Sequence, residues 1–272
     1  MTDSAALAPF DTPVPEDWFL GVKLADLDVE GAARLVAARP AGAPFAYIVT
    51  PNAQHMVALH NGAPELQAAY DAAWIRTCDS QVVRLLGRHL FGLTLPSCAG
   101  SDLTAALFAR HIRPDDSICV IGGDAELERR LVAQFGLTHL ALHNPPMGFI
   151  KDPAAVRACL EFVAGHPSRY VFLAVGQPRG EILARLLKER GDIVGTGLCI
   201  GRSLHFVTGL TQRAPVWMRR TALEWLHRLL LSPRTHFRRV FIESLPLLGM
   251  AVRARLAPAA RRHLPRRGEQ PR

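Results

Sequence analysis

Short apolar runs alternate with segments of helical periodicity along most of the chain. The runs rich in apolar, β-branched or aromatic residues span positions 45–49, 74–77, 117–121, 139–142, 170–175 and 193–200. The helix-like segments span positions 29–38, 53–70, 81–90, 102–111, 125–135, 153–163 and 180–190. Alternation of strand and helix predicts an α/β fold, a Rossmann-like and largely parallel sheet with helices on both faces.

Polar or small residues follow most of the predicted strands. Thr50 and Asn52 follow the first, Asp79 the second, residues 122–123 the third and residues 176–179 the fifth. Ligands of open parallel sheets bind beyond the carboxyl ends of the strands. We therefore expect these residues to line one rim of the sheet.

Charge is segregated along the chain. From Arg213 to the C-terminus there are 14 Arg, no Lys and 3 acidic residues, a net charge of +11. The whole chain carries +8, so residues 1–212 carry the difference, −3. This predicts a mildly acidic catalytic body, 1–212, and a basic helical C-terminal appendage, 213–260. Residues 261–272 lack apolar periodicity and are predicted to be disordered.

The start of the appendage has the pattern of an amphipathic helix. If Pro215 lies in the first turn, Trp217 and several leucines fall on one side, while Arg219, Arg220 and Arg228 project elsewhere. Such a helix suits an anionic membrane surface. The alternative is an ordinary surface helix with solvated arginines.

No targeting or spanning segment is recognisable. There is no run of about 18 apolar residues, and the N-terminal residues lack a basic region followed by an apolar stretch. The five cysteines are scattered without a CxxC, as expected for buried thiols in a reducing compartment. The sequence therefore predicts a cytoplasmic protein.

Gly122 and Gly123 separate a strand from a helix, where backbone N–H groups can approach a phosphate. A tight turn is the structural alternative. The segment lacks G-x-G-x-x-G, and residues 138–144 hold no carboxylate for a ribose. NAD and FAD are disfavoured, and a nucleotide diphosphate remains open.

Asp79 invites two interpretations. At the rim it could act as a general base, whereas the Asp79-Ser80 pair could simply cap the following helix. Ser101 and Asp102 invite the same two interpretations, and there a cap is favoured.

Metal and cofactor sites are not expected. The eleven histidines are dispersed, and His55 and His60 have no HExxH setting. The only D-x-D, at residues 26–28, precedes a helix that it can cap. Residues 201–205 resemble a serine nucleophile elbow but lack the second glycine of that motif, so a serine hydrolase is not expected.

Seven motifs together resemble one family. They are VTPNAQHMV at residues 49–57, CDS at 78–80, GSDL at 100–103, VIGG at 120–123, HNPPMGF at 143–149, VGQPRGE at 175–181 and RAPVWMRRTALEWLHRLLLSPR at 213–234. In this order they resemble the WecG/TagA/CpsF family of bacterial glycosyltransferases, glycosyltransferase family 26. The resemblance covers roughly residues 50 to 239.

The resemblance implies an inverting, metal-independent transferase without a cofactor. It would move an N-acetylmannosamine-type sugar or a uronic acid from a UDP-sugar to an undecaprenyl-diphosphate-linked acceptor. The reaction would take place at the inner face of the cytoplasmic membrane during cell-surface polysaccharide biosynthesis.

The resemblance also assigns residues. Asp79 matches the catalytic base. The matching substrate-binding positions are Thr50, Asn52, Ser101, Asp102, Gly122, Gly123, Gly176, Pro178, Arg179 and Glu181. Arg213, Arg219, Arg220 and Arg228 match the appendage that meets the acceptor diphosphate and the membrane. Ser80, Gly180 and His205 depart from the family pattern, which usually has glycine, glutamine and aspartate there, so the donor sugar stays open.

The competing class is a non-catalytic protein whose Arg-rich tail binds nucleic acid or anionic lipid. No nucleic-acid-binding motif is recognisable, so nucleic acid is not expected as a partner. The sequence does not determine the oligomeric state, and a homo-oligomer is one of the options that it leaves open.

Overall fold

Six parallel strands form the central sheet in the computed structural model, which describes residues 13–212, 218 and 245–256. The strands lie in the spatial order β4-β3-β8-β7-β5-β6. Their bounds are β3 Ala46–Val49, β4 Ile75–Arg76, β5 Ser117–Ile121, β6 His139–His143, β7 Tyr170–Leu173 and β8 Thr196–Cys199. Each neighbouring pair is parallel, which confirms the predicted sheet.

Helices follow most of these strands. They are α1 Val29–Ala38, α2 Ala53–His60, α3 Pro64–Ala72, α4 Gln81–Phe91, α5 Gly100–Arg110, α6 Ala125–Phe135, α7 Pro153–Gly165, α8 Arg179–Arg190 and α9 Ser203–Val207, with a 3-10 turn at Phe149–Lys151. The predicted helix 53–70 is two helices instead. Gly62 has a φ of 79°, and Pro64 occupies the first turn of α3, where its missing N–H is tolerated.

Both faces of the sheet are covered. On β7, Val171 and Leu173 join a core with side chains of α2, α3 and α8, whereas Tyr170 and Phe172 join a second core with α1, α5 and α6. All four side chains are fully buried. Burial on both faces explains why the strand has no polar alternation in the sequence.

An antiparallel hairpin of β1 Glu16–Phe19 and β2 Val22–Ala25 precedes the sheet, and the sequence pattern did not predict it. Its two loop residues, Leu20 and Gly21, have φ values of 49° and 83°. Positive φ at both positions is the requirement of a type I′ turn, and Leu-Gly lacks the Asn-Gly signature of that turn. An ion pair between Arg76 and Glu16 ties the hairpin to β4.

One further helix, Pro246–Leu256, lies within the predicted appendage and is called the C-terminal helix below. It packs against α2 and α4 of the body, with Leu247 and Ala251 buried. The rest of the predicted appendage, apart from Met218, and the predicted tail lie outside the described residues, and the domain boundaries stay predictions. Among the helices in the described ranges, none is long and apolar enough to cross a membrane.

Gly122 follows β5, which lies between β7 and β6 in the sheet. Its N–H donates to the carbonyl of His143 at 2.8 Å, and the Ala174 N–H donates to the carbonyl of Ile121 at 2.7 Å. The φ of Gly122 is 102°, and a Cβ there would lie 2.9 Å from the carbonyl carbon of Ala174. At Gly123, φ is 99° and a Cβ would lie 2.5 Å from Leu127 Cδ2. The backbone contact therefore requires glycine at 122, while at 123 the positive φ favours glycine and only the end of a leucine side chain would have to move.

Gly122→Ala should destabilise the protein more than Gly136→Ala, a matched control. Gly136 also has a positive φ, 65°, but its nearest neighbour would be 3.9 Å from a new Cβ. We expect about 1 kcal/mol of unfolding free energy lost at Gly136, from backbone strain alone. At Gly122 we expect roughly 2–4 kcal/mol, because a backbone clash adds to that strain. Denaturant titration of both variants checks this, and equal losses would contradict the packing argument.

Candidate active site

The candidate site begins at Thr50, directly after β3. Thr50 is buried, and its Oγ1 donates a hydrogen bond to the carbonyl of Cys199 at 3.3 Å. Helix α5 begins at Gly100, and a Cβ on Gly100 would lie only 3.0 Å from Thr50 Oγ1. The ends of β3 and β8 and the first turn of α5 therefore meet at Thr50.

Asp79 lies beside Thr50, at the end of β4. Its backbone N–H donates to the carbonyl of Pro51 at 2.9 Å, and its Oδ2 accepts from the N–H of Gly100 at 3.3 Å. The cap of α4 is Ser80, whose Oγ accepts from the N–H of Val83 at 3.2 Å. Because Ser80 fills the capping role, the Asp79 carboxylate is held at the rim instead.

Asn52 caps α2 by a reciprocal arrangement with His55. The Asn52 Oδ1 accepts from the N–H groups of Gln54 and His55, at 2.9 and 3.3 Å. In return, His55 Nδ1 accepts from the N–H of Asn52 at 3.2 Å, which completes a capping box. This role of His55 is missed when its sequence setting is considered for metal binding alone, although the N-x-x-H spacing from Asn52 is the signal of this cap.

Glu181 contacts His55. Its Oε1 lies 3.1 Å from His55 Nε2, and both side chains are buried, with 6% and 7% exposed. The other carboxylate oxygen, Oε2, is buried and has no hydrogen-bond partner among the described residues. Glu181 thus faces inward, toward α2.

The expected cap at Ser101 or Asp102 is wrong. The residue before α5 is Ala99, which has no side chain that can cap, and Ser101 and Asp102 lie inside the first helical turn. Both are half-buried. Their position places them next to Gly100, and therefore near Asp79 and Thr50.

At the end of β5 the N-terminus of α6 already holds a carboxylate. Asp124 Oδ1 accepts from the N–H of Leu127 at 2.9 Å. The N–H of Leu127 is therefore already used and does not serve a phosphate. Together with the packing at Gly122 and Gly123, this favours a tight turn over a phosphate cradle.

Residues 176–179 line the rim after β7. Gly176 has a φ of 71°, the Gln177–Pro178 peptide bond is cis, and the Arg179 Nη1 lies 3.6 Å from the sulfur of the exposed Met147. A cavity of about 730 Å³ opens here. Its lining is mainly apolar and consists of Gln54, Val57, Ala58, Asn61, Ala63, Pro64, Glu65, Leu66, Gln177, Pro178 and Ile182.

His205 follows β8, in α9. Burial lowers the pKa of its imidazole below the usual value, and Arg202 lowers the pKa further. The side chain is therefore uncharged at neutral pH, and it differs in charge as well as shape from a carboxylate.

The distribution of these residues along the sheet has a consequence for substrate placement. Asp79 follows β4, while Gly122 and Gly123 follow β5, four strands away. At ~4.8 Å per strand this separation is roughly 19 Å. Asp79, Thr50, Asn52 and the start of α5 form one cluster, and the β5 turn lies at the far end of the rim.

Two further expectations concern metals and the tail. Asp28 caps α1 by accepting from the N–H of Gly31 at 2.7 Å, which confirms the structural explanation of the D-x-D. Within residues 13–212 and 245–256 no group of three or more potential metal ligands occurs.

The predicted contacts of Arg213, Arg219, Arg220 and Arg228 fall outside the described residues.

The chain matches the model of a known protein family over most of its length. The model of the family described as "Glycosyl transferase WecG/TagA/CpsF family" matches residues 18–261. The match extends from β1 past the C-terminal helix and so includes the complete candidate site.

Proposed function

The chain belongs to the WecG/TagA/CpsF family of glycosyl transferases, and we propose that it transfers a sugar from a UDP-sugar to an undecaprenyl-diphosphate-linked acceptor. Membership of this family makes it a glycosyltransferase of cell-surface polysaccharide biosynthesis. The sugar we propose is of the N-acetylmannosamine type or a uronic acid. The observation that carries the proposal is Asp79, a carboxylate held at the rim beside Thr50 while Ser80 caps the helix.

The proposed reaction inverts the anomeric carbon. The Asp79 carboxylate accepts the proton of the acceptor hydroxyl as the hydroxyl oxygen attacks that carbon. The bond to the UDP oxygen breaks on the opposite face, and UDP leaves as an anion. One base suffices for a single displacement, so no second carboxylate is required as a nucleophile. The bonds of Asp79 to Pro51 and Gly100 hold the base in place for that transfer.

The leaving diphosphate must lie close to Asp79, because its oxygen is bonded directly to the anomeric carbon. The start of α5 contacts Asp79 directly, and the partial positive charge of this helix N-terminus suits an anion. The nucleoside is the part of the donor that can extend along the rim toward the β5 turn. Arginines such as Arg179, and those of the appendage, are suited to the phosphate charge without a metal.

Asp79→Asn should abolish transfer while folding and UDP binding stay intact. Asparagine keeps the size and can still accept from the Gly100 N–H, but it cannot take up the acceptor proton. Loss of a general base costs on the order of a hundred- to ten-thousand-fold in rate. Turnover with a panel of UDP-sugars and lipid-linked acceptors, read by mass spectrometry, measures the effect.

Asp124→Ala is the control for that variant. It removes the cap of α6, which begins after β5 and away from Asp79, so it should lower the unfolding free energy by about 1 kcal/mol and leave turnover nearly unchanged. An active Asp79→Asn enzyme would remove Asp79 from the catalytic role, and Asp102 would then be the carboxylate to examine.

UDP should bind without a divalent cation. The proposal assigns the diphosphate charge to a helix N-terminus and arginines, none of which needs a metal. Isothermal titration calorimetry with UDP in excess EDTA is the test. Binding that develops only after magnesium or manganese is added would refute this part of the proposal.

We also propose that the enzyme acts while bound peripherally to the inner face of the cytoplasmic membrane. The C-terminal helix supports this, because it is apolar on two faces. One face packs on the body, and the other exposes Leu245, Leu248, Val252 and Leu256, which share one side at helical spacing. Arg253 and Arg255 flank this stripe, as cations flank the apolar face of an interfacial helix.

Leu248→Glu combined with Val252→Glu should reduce binding to liposomes that contain anionic lipid. Both side chains are exposed, at 50% and 39%, so the melting temperature should hardly change. Val132→Glu is the control, since Val132 is 42% exposed on α6, which packs on the opposite face of the sheet. Flotation of the double variant equal to that of Val132→Glu and of the unchanged chain would contradict the membrane role of this stripe.

A further inference from the structure

The buried pair of Glu181 and His55 lies directly beneath the candidate site, and its hydrogen bonds define the state of the imidazole. His55 Nδ1 accepts from the N–H of Asn52, so Nδ1 carries no proton. The proton of the neutral ring is therefore on Nε2, which donates to Glu181 Oε1 at 3.1 Å. From these bonds we infer that Glu181 and His55 are positioning residues, which hold the turn carrying Thr50 and Asn52 in its active geometry.

The turn that they hold is the one that matters for the proposed reaction. Thr50 and Asn52 lie on either side of Pro51, whose carbonyl accepts from the N–H of Asp79. The Asn52 Oδ1 is used in capping α2, which leaves the side-chain amide with two N–H donors for a substrate. A shift at Asn52 would therefore move a substrate-binding amide and the support of the base together.

Burial argues that this pair does more than stabilise the core. A buried carboxylate costs free energy unless its partners compensate fully, and here Oε2 has no partner among the described residues. Apolar residues of similar volume would join α8 to α2 at less cost. Apolar residues would supply no acceptor for the N–H at Nε2 of His55. That acceptor fixes the ring proton on Nε2, which leaves Nδ1 without a proton and able to accept from the N–H of Asn52.

The same geometry changes the role expected for Glu181. The family resemblance implied contact with substrate, but a side chain 6% exposed and directed at His55 acts through another residue. This inference rests on the proposed function, because it assigns Glu181 and His55 to that reaction.

The test compares two substitutions of one residue. Glu181→Gln keeps an oxygen that can accept from His55 Nε2, so kcat should stay within about threefold of the unchanged enzyme. Glu181→Leu has similar volume but no acceptor, so kcat should fall by about 10- to 100-fold, the size of loss known for groups that orient metal-ligating histidines. The loss in Glu181→Leu should be in kcat, with or without a rise in the KM for the UDP-sugar, because the Asn52 amide moves together with the support of the base. Glu189→Leu, at an exposed position on the same helix, is the control.

A rescue variant separates positioning from general stability. Glutamine is the usual partner at the third position of a capping box and accepts from the N-cap N–H without help from a carboxylate. His55→Gln combined with Glu181→Leu should therefore recover most of the kcat that Glu181→Leu loses. Assays are run well below the melting temperature of every variant. Should Glu181→Leu fail to fold, His55→Phe compared with His55→Gln tests the same contact.

Two measurements do not depend on turnover. Hydrogen exchange of the Asn52 amide should accelerate in Glu181→Leu and return toward normal in the rescue variant. Long-range 15N–1H NMR of labelled histidine should show His55 as the Nε2–H tautomer, assigned by its absence in His55→Phe.

Several outcomes would overturn the inference. They are a folded Glu181→Leu enzyme with normal kcat, equal losses in Glu181→Gln and Glu181→Leu, no rescue by His55→Gln, a rise in donor KM at constant kcat, or an Nδ1–H tautomer. A chain that transfers no sugar at all would refute the proposed function instead, and the exchange and NMR results would still decide whether the pair holds Asn52.

Discussion

The parallel pairing of β3 with β4 and β8 is the constraint on which the candidate site depends. Its register places Val49 beside Arg76 and Cys199, so the residues that follow these strands emerge at one level. Thr50 can then donate to the Cys199 carbonyl, and the N–H of Asp79 can reach Pro51. A slip of one residue would turn every side chain of a strand to the opposite face and separate these groups. The two buried core clusters, which fix the register from both faces, therefore also fix the site.

Helix capping decides which polar side chains at the rim remain for chemistry. Every new helix needs acceptors for its first N–H groups, and the nearest polar residue supplies them. Ser80 does this for α4, so Asp79 keeps its place beside Gly100. Asp124 does it for α6, so the N–H of Leu127 there does not serve a phosphate. Ala99 has no side chain that can cap α5. The start of that helix is therefore open to Asp79 and, as we propose, to the donor diphosphate.

Local signals predicted the sheet and most helices, because buried strands and amphipathic helices have sequence periods that need no knowledge of the partner. The structure has the segment 125–135 as predicted, with Asp124 before it and Gly136 after it, a cap at each end. Failures arose where the deciding contact is distant or the residue is unusual for its role. The contact between His55 and Glu181 joins positions 126 residues apart, so no local pattern indicates it. The Leu20-Gly21 turn adopts a conformation that leucine rarely takes.

The position of α4 connects the candidate site with the stripe that we propose to face a membrane. The helix begins two residues after Asp79 and contacts the C-terminal helix, whose outer face is apolar and flanked by arginines. Eleven residues at ~1.5 Å each make α4 about 16 Å long. The base therefore lies within one short helix of the proposed membrane-facing stripe. An acceptor whose lipid stays in the bilayer extends only its diphosphate and first sugars into water, so its reacting hydroxyl must meet the base close to the headgroups. A base no farther than one short helix from the stripe satisfies that requirement without the lipid leaving the bilayer.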